Sequence, residues 1–253
     1  MCGIGFVSPA PGTGFDTEGV VLALLVTLQA RGTDAAGVAW TDQDGGTWYV
    51  KDGVPGRMLA ATLHQSGDLP RAAGAIVHTR YATLGSPDAN ENNHPIVRPG
   101  VVLAHNGVVR NHDRVFARLR AQRLARVDSE ALAAVVEKAE DVEDALEWFG
   151  HVQGSAAVAW MHTGQPDVHV ARIVGSPLVV GQTAEGDAIG ASTKAILEST
   201  CRIAGVTLDW VDTLDEGTYM RFAQGTLTDY RCFGYQENPH YAPPVYPPVL
   251  AAV

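Results

Sequence analysis

Three cysteines in 253 residues, Cys2, Cys201 and Cys232, are too few, too scattered and too odd in number for a disulfide framework. None stands in a CxxC pair or beside a Cys/His cluster of the kind that holds zinc, so no metal is expected and a reducing compartment is. Positive charge is short too: Lys and Arg total 18 against 28 Asp and Glu, a net charge of −10. That balance argues against a nucleic-acid partner or an anionic membrane surface, either of which needs a basic face. The one basic run, Arg114 to Arg126, lacks interleaved aromatics and precedes acidic residues, so it reads as the solvated face of a helix. Long apolar runs are missing: the richest stretch, GVVLALLVTLQA, is too short to span a bilayer. The N-terminus has neither the basic n-region nor the apolar h-region of a signal peptide, and the expected location is cytoplasmic. There is no Gly-rich phosphate loop or P-loop, so no nucleotide cofactor is expected.

What is present is an ordinary globular balance, 46% apolar and 18% charged, with enough chain for a sizeable core. GIGFV reads as a short strand. DTEGVVLALLVTLQARG reads as a helix capped by Asp16 or Thr17 and closed at Arg31–Gly32. GVAWTDQDGGTWYVKDG reads as a hairpin. RMLAATLHQ reads as a short helix, and GAIVHTRYAT and VVLAHNGVV as β-rich runs around a polar loop. NHDRVFARLRAQ, DSEALAAVVEKAE and VEDALEWFGH carry helical spacing, as does TKAILEST later. SAAVAWMH, VHVARIV, LVVGQT, DAIGAS, YMRF and LTDYRCF read as strands. The order lacks long βαβ alternation and favours antiparallel sheets covered by helices, an α+β fold. No linker splits the chain: one domain is expected over 1–233, and a proline-rich tail over 234–253.

Cys2 raises a chemical question. A thiol is a weak nucleophile until a base takes its proton, and the nearest base at a chain start is the α-amine, with a pKa of about 7.7–8.0. That amine belongs to Cys2 only once Met1 is removed, which a small second residue permits. Gly3 and Gly5 are expected to leave room beside it for a substrate carbonyl. On position alone, an incidental strand residue explains Cys2 equally well.

The ordered set MCGIGFV, LQARGTDAAGVAW, GAIVHTRYATLGSPDANENNHPI, LAHNGVVRN and VDSEALAAVV resembles the glutaminase domain of the class II glutamine amidotransferases. These are N-terminal-nucleophile hydrolases that begin with cysteine; members make glucosamine 6-phosphate, phosphoribosylamine, asparagine and glutamate. Weaker similarity runs through ARIVGSPLVVGQ, GASTKAILEST and LDEGTYMRF, so the resemblance reaches about Phe233. It implies a four-layer αββα sandwich, L-glutamine as substrate, Cys2 as nucleophile, and Asn106 with the Gly107 amide as oxyanion donors. It assigns Arg80 to the substrate carboxylate and Asp128 to its ammonium. Tyr81, Thr83 and His94 flank the pocket, and Arg31, Asp34, Gly37 and Gly3 support the N-terminus.

Physical chemistry runs parallel to these assignments. A guanidinium fork suits a carboxylate, though Arg80 without its motif reads more readily as half of a structural ion pair. DSEA before an apolar run is an N-cap signature, so Asp128 is expected to cap a helix with one oxygen left for a ligand. Asn106–Gly107 inside an apolar strand is costly as a mere turn and apt as an oxyanion site. The loop GSPDANENNHP reads as a mobile lid returned by His94. HTRYATLG departs from the HTRWATHG of sugar-phosphate-forming members at Tyr81 and Leu84. No acceptor domain is recognisable, so a separate ammonia-accepting synthase subunit is the expected partner. Another N-terminal-cysteine amidohydrolase acting as an acylase, or a silent regulatory module, are the alternatives.

Overall fold

The computed structural model describes residues 1–67, 69 and 72–235. The first half of the chain contains β1 (Gly3–Ser8), α1 (Thr17–Leu28), β2 (Ala35–Asp42), β3 (Thr47–Asp52), α2 (Gly56–Ser66), β4 (Ala72–Arg80), β5 (Ile96–Arg98), β6 (Val101–Val109) and α3 (His112–Leu119). The second contains α4 (Ser129–Lys138), α5 (Val142–Gly150), β7 (Gly154–His162), β8 (Val168–Val174), β9 (Val179–Gln182), β10 (Ala188–Ala191), α6 (Lys194–Ala204), β11 (Trp210–Thr213), β12 (Thr218–Ala223) and β13 (Thr226–Cys232). The strands form two antiparallel sheets, in the orders β11-β9-β10-β1-β4-β2-β3 and β13-β12-β8-β7-β6-β5.

Strand alternation sorts the apolar side chains into separate cores. Ile4, Phe6, Ala39 and Ile76 face inward and meet Val102, Ala104, Val170 and Phe222 of the second sheet. Their neighbours Val7, Val38 and Val77 face outward onto α1, α2 and α6. On the far side, Val158, Trp160 and Ala171 carry α3, α4 and α5. The result is the four-layer αββα sandwich of the N-terminal-nucleophile hydrolases. Both sheets are covered on both faces, which explains why their strands read as nearly continuous apolar runs. α1 is apolar almost all round because it lies on the first sheet between α2 and α6; Thr27 Oγ1 meets Thr200 Oγ1 of α6 at 2.7 Å. Asp16 caps it through Gly19 N at 2.8 Å. Among the described residues no helix is long and apolar enough to cross a membrane.

Several sequence expectations need correction. α1 ends at Leu28, short of Arg31. Gly32 is not a helix stop but a crossing point: a Cβ there would lie 2.3 Å from the Arg80 carbonyl carbon and 2.4 Å from Tyr81 N. Gly3 and Gly5 leave no room for substrate. A Cβ on Gly3 would meet Thr79 Oγ1 at 2.7 Å and one on Gly5 would meet Leu24 Cδ2 at 2.8 Å, so they bring β1 close to α1. The basic run is only partly helical, since α3 stops at Arg120 (φ 51°); Arg123 instead covers the Phe116 ring and pairs with Asp113 at 2.6 Å. β5 and β11 were not anticipated. Phe233 and Tyr235 still pack on the outer core, and the expected tail lies outside the described residues from 236 onward.

Candidate active site

Cys2 stands one residue before β1. The register pairing Gly3 with Thr79 sets Cys2 opposite Arg80, the last residue of β4. Two tethers define its place: Arg31 Nε donates to the Cys2 carbonyl at 2.6 Å, and Cys2 Sγ donates to the Tyr81 carbonyl at 3.6 Å. Burial pushes the thiol pKa up, opposed by the Tyr81 contact, the terminal ammonium and Arg80. Burial lowers the pKa of the Met1 amine, moving it toward the free-base form. Asp34 fixes the adjoining turn by accepting Ala82 N at 2.7 Å while its own N–H donates to Arg80 O at 3.0 Å.

Arg80 is 3% exposed and held entirely by neutral acceptors. Nη1 donates to Asn93 Oδ1 at 2.8 Å, and Nη2 to the carbonyls of Leu84 and Gly85 at 2.6 and 2.7 Å. Burial draws its pKa down; Cys2, Asp34 and Asp128 oppose this through space. It is paired with no carboxylate among the described residues. A buried cation lacking an anion is costly unless something supplies one.

A second unpartnered group lies on β6. Asn106 is 2% exposed and its Nδ2 has no hydrogen-bond partner. Gly107 adopts φ +143°, and a Cβ there would lie 2.0 Å from the Ser155 carbonyl oxygen, so no other residue fits. Val109 N donates away from β7, to Asp128 Oδ2 at 2.6 Å. By the alternation of an antiparallel strand, the Gly107 amide turns the same way. Asp128 occupies the cap position of α4 but makes no capping bond, which corrects the expectation; its carboxylate serves β6 instead. It lies close enough to Cys2 and Arg80 to bias both ionisations. Cys2, Arg80, Asn106, Gly107 and Asp128 thus come from four separate elements to one end of the sandwich.

The remaining expected residues are less uniform. Tyr81 is 54% exposed and Thr83 is exposed beside it, both on the turn that receives the thiol. His94 is buried and stacks on His78 with centroids 4.0 Å apart. The loop is no free lid along its whole length. Asn92, Asn93 and His94 are buried, and Asn92 Oδ1 accepts Arg126 N at 2.8 Å, whereas Ser86, Asp88, Asn90 and Glu91 are exposed.

Three buried histidines, of which only His94 was given a place by the motifs, tie the site elements together. His78 Nε2 contacts the His105 carbonyl at 3.0 Å, and His105 Nδ1 contacts Ser129 Oγ at 2.8 Å. Burial lowers His78 to about 3 and pulls His94 and His105 down as well, so all are neutral near pH 7. Beneath the Asp128 helix, Arg98 bonds Glu130 and Glu137 at 2.5 Å each, and Glu130 accepts Leu124 N and Ala125 N. Nothing in the pattern of single residues marks these pairings; only the apolar setting of Glu130 in SEALAAVV hints at a buried acid. No cluster of three or more His, Cys, Asp or Glu able to hold a metal occurs among the described residues.

Comparison with known proteins gives this geometry a context. Residues 78–198 match the glutamine amidotransferase domain family. Glutamine–fructose-6-phosphate aminotransferase of Salmonella typhi is 31% identical over 212 residues, covering 80% of this chain and 33% of that protein. Its Streptomyces coelicolor counterpart is 36% identical over 210 residues, covering 77% and 32%. The chain therefore spans about a third of the length of the curated relatives it matches. Among solved structures, glutamine phosphoribosylpyrophosphate amidotransferase from B. subtilis superposes with a TM-score of 0.73 at 23% identity, over 94% of this chain and 50% of that one. A glutamine aminotransferase class-II domain protein from Silicibacter pomeroyi gives 0.55 at 16% identity, over 92% of this chain and all of its own. Residues 78–198 carry a glutamine amidotransferase domain, and the chain is similar to the class II, N-terminal-nucleophile enzymes that contain one.

Proposed function

We propose that the chain hydrolyses the side-chain amide of L-glutamine to glutamate and ammonia through a thioester on Cys2, in the cytoplasm, and that a separate synthase subunit takes the ammonia. The reading is carried by two unmatched buried groups at the Cys2 end of the sandwich: an Arg80 guanidinium without a carboxylate, and an Asn106 amide without an acceptor. A bound glutamine supplies both. Its α-carboxylate meets Arg80, its α-ammonium meets the free oxygen of Asp128, and the reacting carbonyl oxygen lies toward Asn106 Nδ2 and Gly107 N.

Once Met1 is removed, the Cys2 α-amine takes the proton of the Cys2 thiol. The thiolate attacks the side-chain amide carbon, and the resulting oxyanion takes hydrogen bonds from Asn106 and Gly107. The protonated amine returns its proton to the departing nitrogen, releasing ammonia and leaving a γ-glutamyl thioester. The same amine then takes a proton from water; hydroxide adds to the thioester, and glutamate leaves as the thiol is restored.

Intact mass spectrometry before and after treatment with a diazo-ketone analogue of glutamine tests this. The expected result is loss of Met1 and a single adduct that Cys2→Ala abolishes, together with glutaminase activity that the same substitution removes. Retained Met1, or turnover in Cys2→Ala, would refute the mechanism. A mature Cys2 that takes no adduct and hydrolyses other amides would favour the acylase reading.

A further inference from the structure

We propose that Asn93, braced by Lys51, is a positioning residue that holds the Arg80 guanidinium in a pose and charge state ready for the glutamine α-carboxylate. The inference rests on the glutamine reading above and concerns how affinity is set. Asn93 is fully buried, and each of its polar groups is used. Its Nδ2 donates to Pro87 O at 2.7 Å and Asn90 Oδ1 at 3.2 Å, and its backbone N–H donates to Asn90 O at 3.1 Å. Two carbonyl-type acceptors on the Nδ2 side fix the amide's orientation, which leaves Oδ1 toward Arg80 Nη1 at 2.8 Å. The backbone carbonyl accepts Lys51 Nζ at 2.8 Å, and the same ammonium reaches Pro95 O at 2.9 Å, spanning His94.

This brace reaches the loop across β2. A Cβ at Gly37 would lie 2.1 Å from the His94 carbonyl and 2.7 Å from Lys51 Cβ, so the loop rests directly on the β2–β3 hairpin. Burial lowers the Lys51 pKa to about 8, in keeping with an ammonium whose hydrogen bonds go to carbonyls. The decisive feature is that Asn93 is a neutral acceptor. It orients the guanidinium without neutralising it, and Leu84 O and Gly85 O do the same on the other nitrogen. A carboxylate at position 93 would occupy Arg80 and compete with the substrate's own.

The test is Asn93→Asp in the full chain, with steady-state glutamine hydrolysis and thermal melting measured on the same samples. The expected result is a rise in KM for glutamine of about tenfold or more with kcat within about threefold, while the melting temperature balances a new Arg80–carboxylate pair against the two bonds that Nδ2 made to Pro87 O and Asn90 Oδ1. A purely structural role would instead lower the melting temperature and leave KM alone. Lys51→Met keeps the Asn93 amide and tests the brace independently: KM rises about threefold, and combining both substitutions gives less than the product of the two effects. A wild-type KM in Asn93→Asp, or in Lys51→Met should the first variant not fold, overturns the proposal. Wild-type protein that neither turns over glutamine nor takes the diazo-ketone would instead refute the glutamine reading, and this inference with it.

Discussion

Replacing Asn106 with leucine should damage catalysis and spare the fold. The Asn106 side chain is buried and its Nδ2 donates to nothing, so the native state carries an unsatisfied donor whose burial costs about 1–3 kcal/mol. Leucine fills a similar volume without that donor; some misfit against β7 offsets part of the gain. A net stabilisation of about 1 kcal/mol, or about 2–4 °C in Tm for a domain of this size, is the expected balance. Under the proposed mechanism, removing one oxyanion donor costs about 10²–10³ in kcat, or about 3–4 kcal/mol in the barrier. KM should stay near wild type, because Arg80 and Asp128 grip the far end of the ligand. Glutamate release in a coupled assay and differential scanning calorimetry give the two numbers. If Asn106→Leu keeps its activity, or melts many degrees lower, the unpartnered amide is a structural element and the oxyanion assignment is wrong.

Arg80→Lys keeps the charge but not the fork; losing one charged hydrogen bond of about 1.5–3 kcal/mol should raise the glutamine KM about 10- to 150-fold, and an unchanged KM would refute carboxylate binding there. Gly32→Ala forces a Cβ onto the Arg80–Tyr81 peptide, 2.3–2.5 Å from three backbone atoms, and should cost about 1–3 kcal/mol and raise KM; a wild-type melt would show that the crossing can relax. Stability should also fall with acid. His78 and His169 are held neutral at about 3, far below the 6.5 of an unfolded histidine, so their contribution is complete above about pH 6.5 and drains as pH falls toward 3. Between pH 7.5 and 5.5 each should cost about 1 kcal/mol, readable as a lower urea midpoint; a flat profile would refute their neutral burial.

How far the sequence could be read depended on whether a signal was local. The strands and helices carried their own periodicities, which gave antiparallel sheets under helices, while the four-layer sandwich came from the family resemblance. Cys2, Arg80, Asn106, Gly107 and Asp128 stood in recognisable motifs. What stayed hidden was which group each residue would meet. DSEA has the pattern of a cap, but its aspartate reaches a strand nineteen residues back, accepting Val109 N instead of a first-turn amide of α4. Gly3 and Gly5 resemble open space in a sequence; here they are the places where β1 touches α1. The asparagine-rich loop reads as mobile by composition, and three distant residues, Lys51, Arg80 and Arg126, fasten its second half. Asn93 carried no signal at all, since one asparagine among the loop's three gives no sign of facing a buried guanidinium.

The hydrogen bond from Val109 N to Asp128 Oδ2 bears on how this domain could change its substrate. Under the proposed mechanism, Asp128 reads the ammonium that distinguishes a free amino acid from other amides. The same carboxylate steadies the strand two residues from Gly107, where the oxyanion forms. A variant that abandons Asp128 to accept a broader set of amides therefore also loosens the donors that make any amide reactive. Promiscuity and speed are mechanically opposed in this pocket, and a drift toward a general amidase must first rebuild the end of β6.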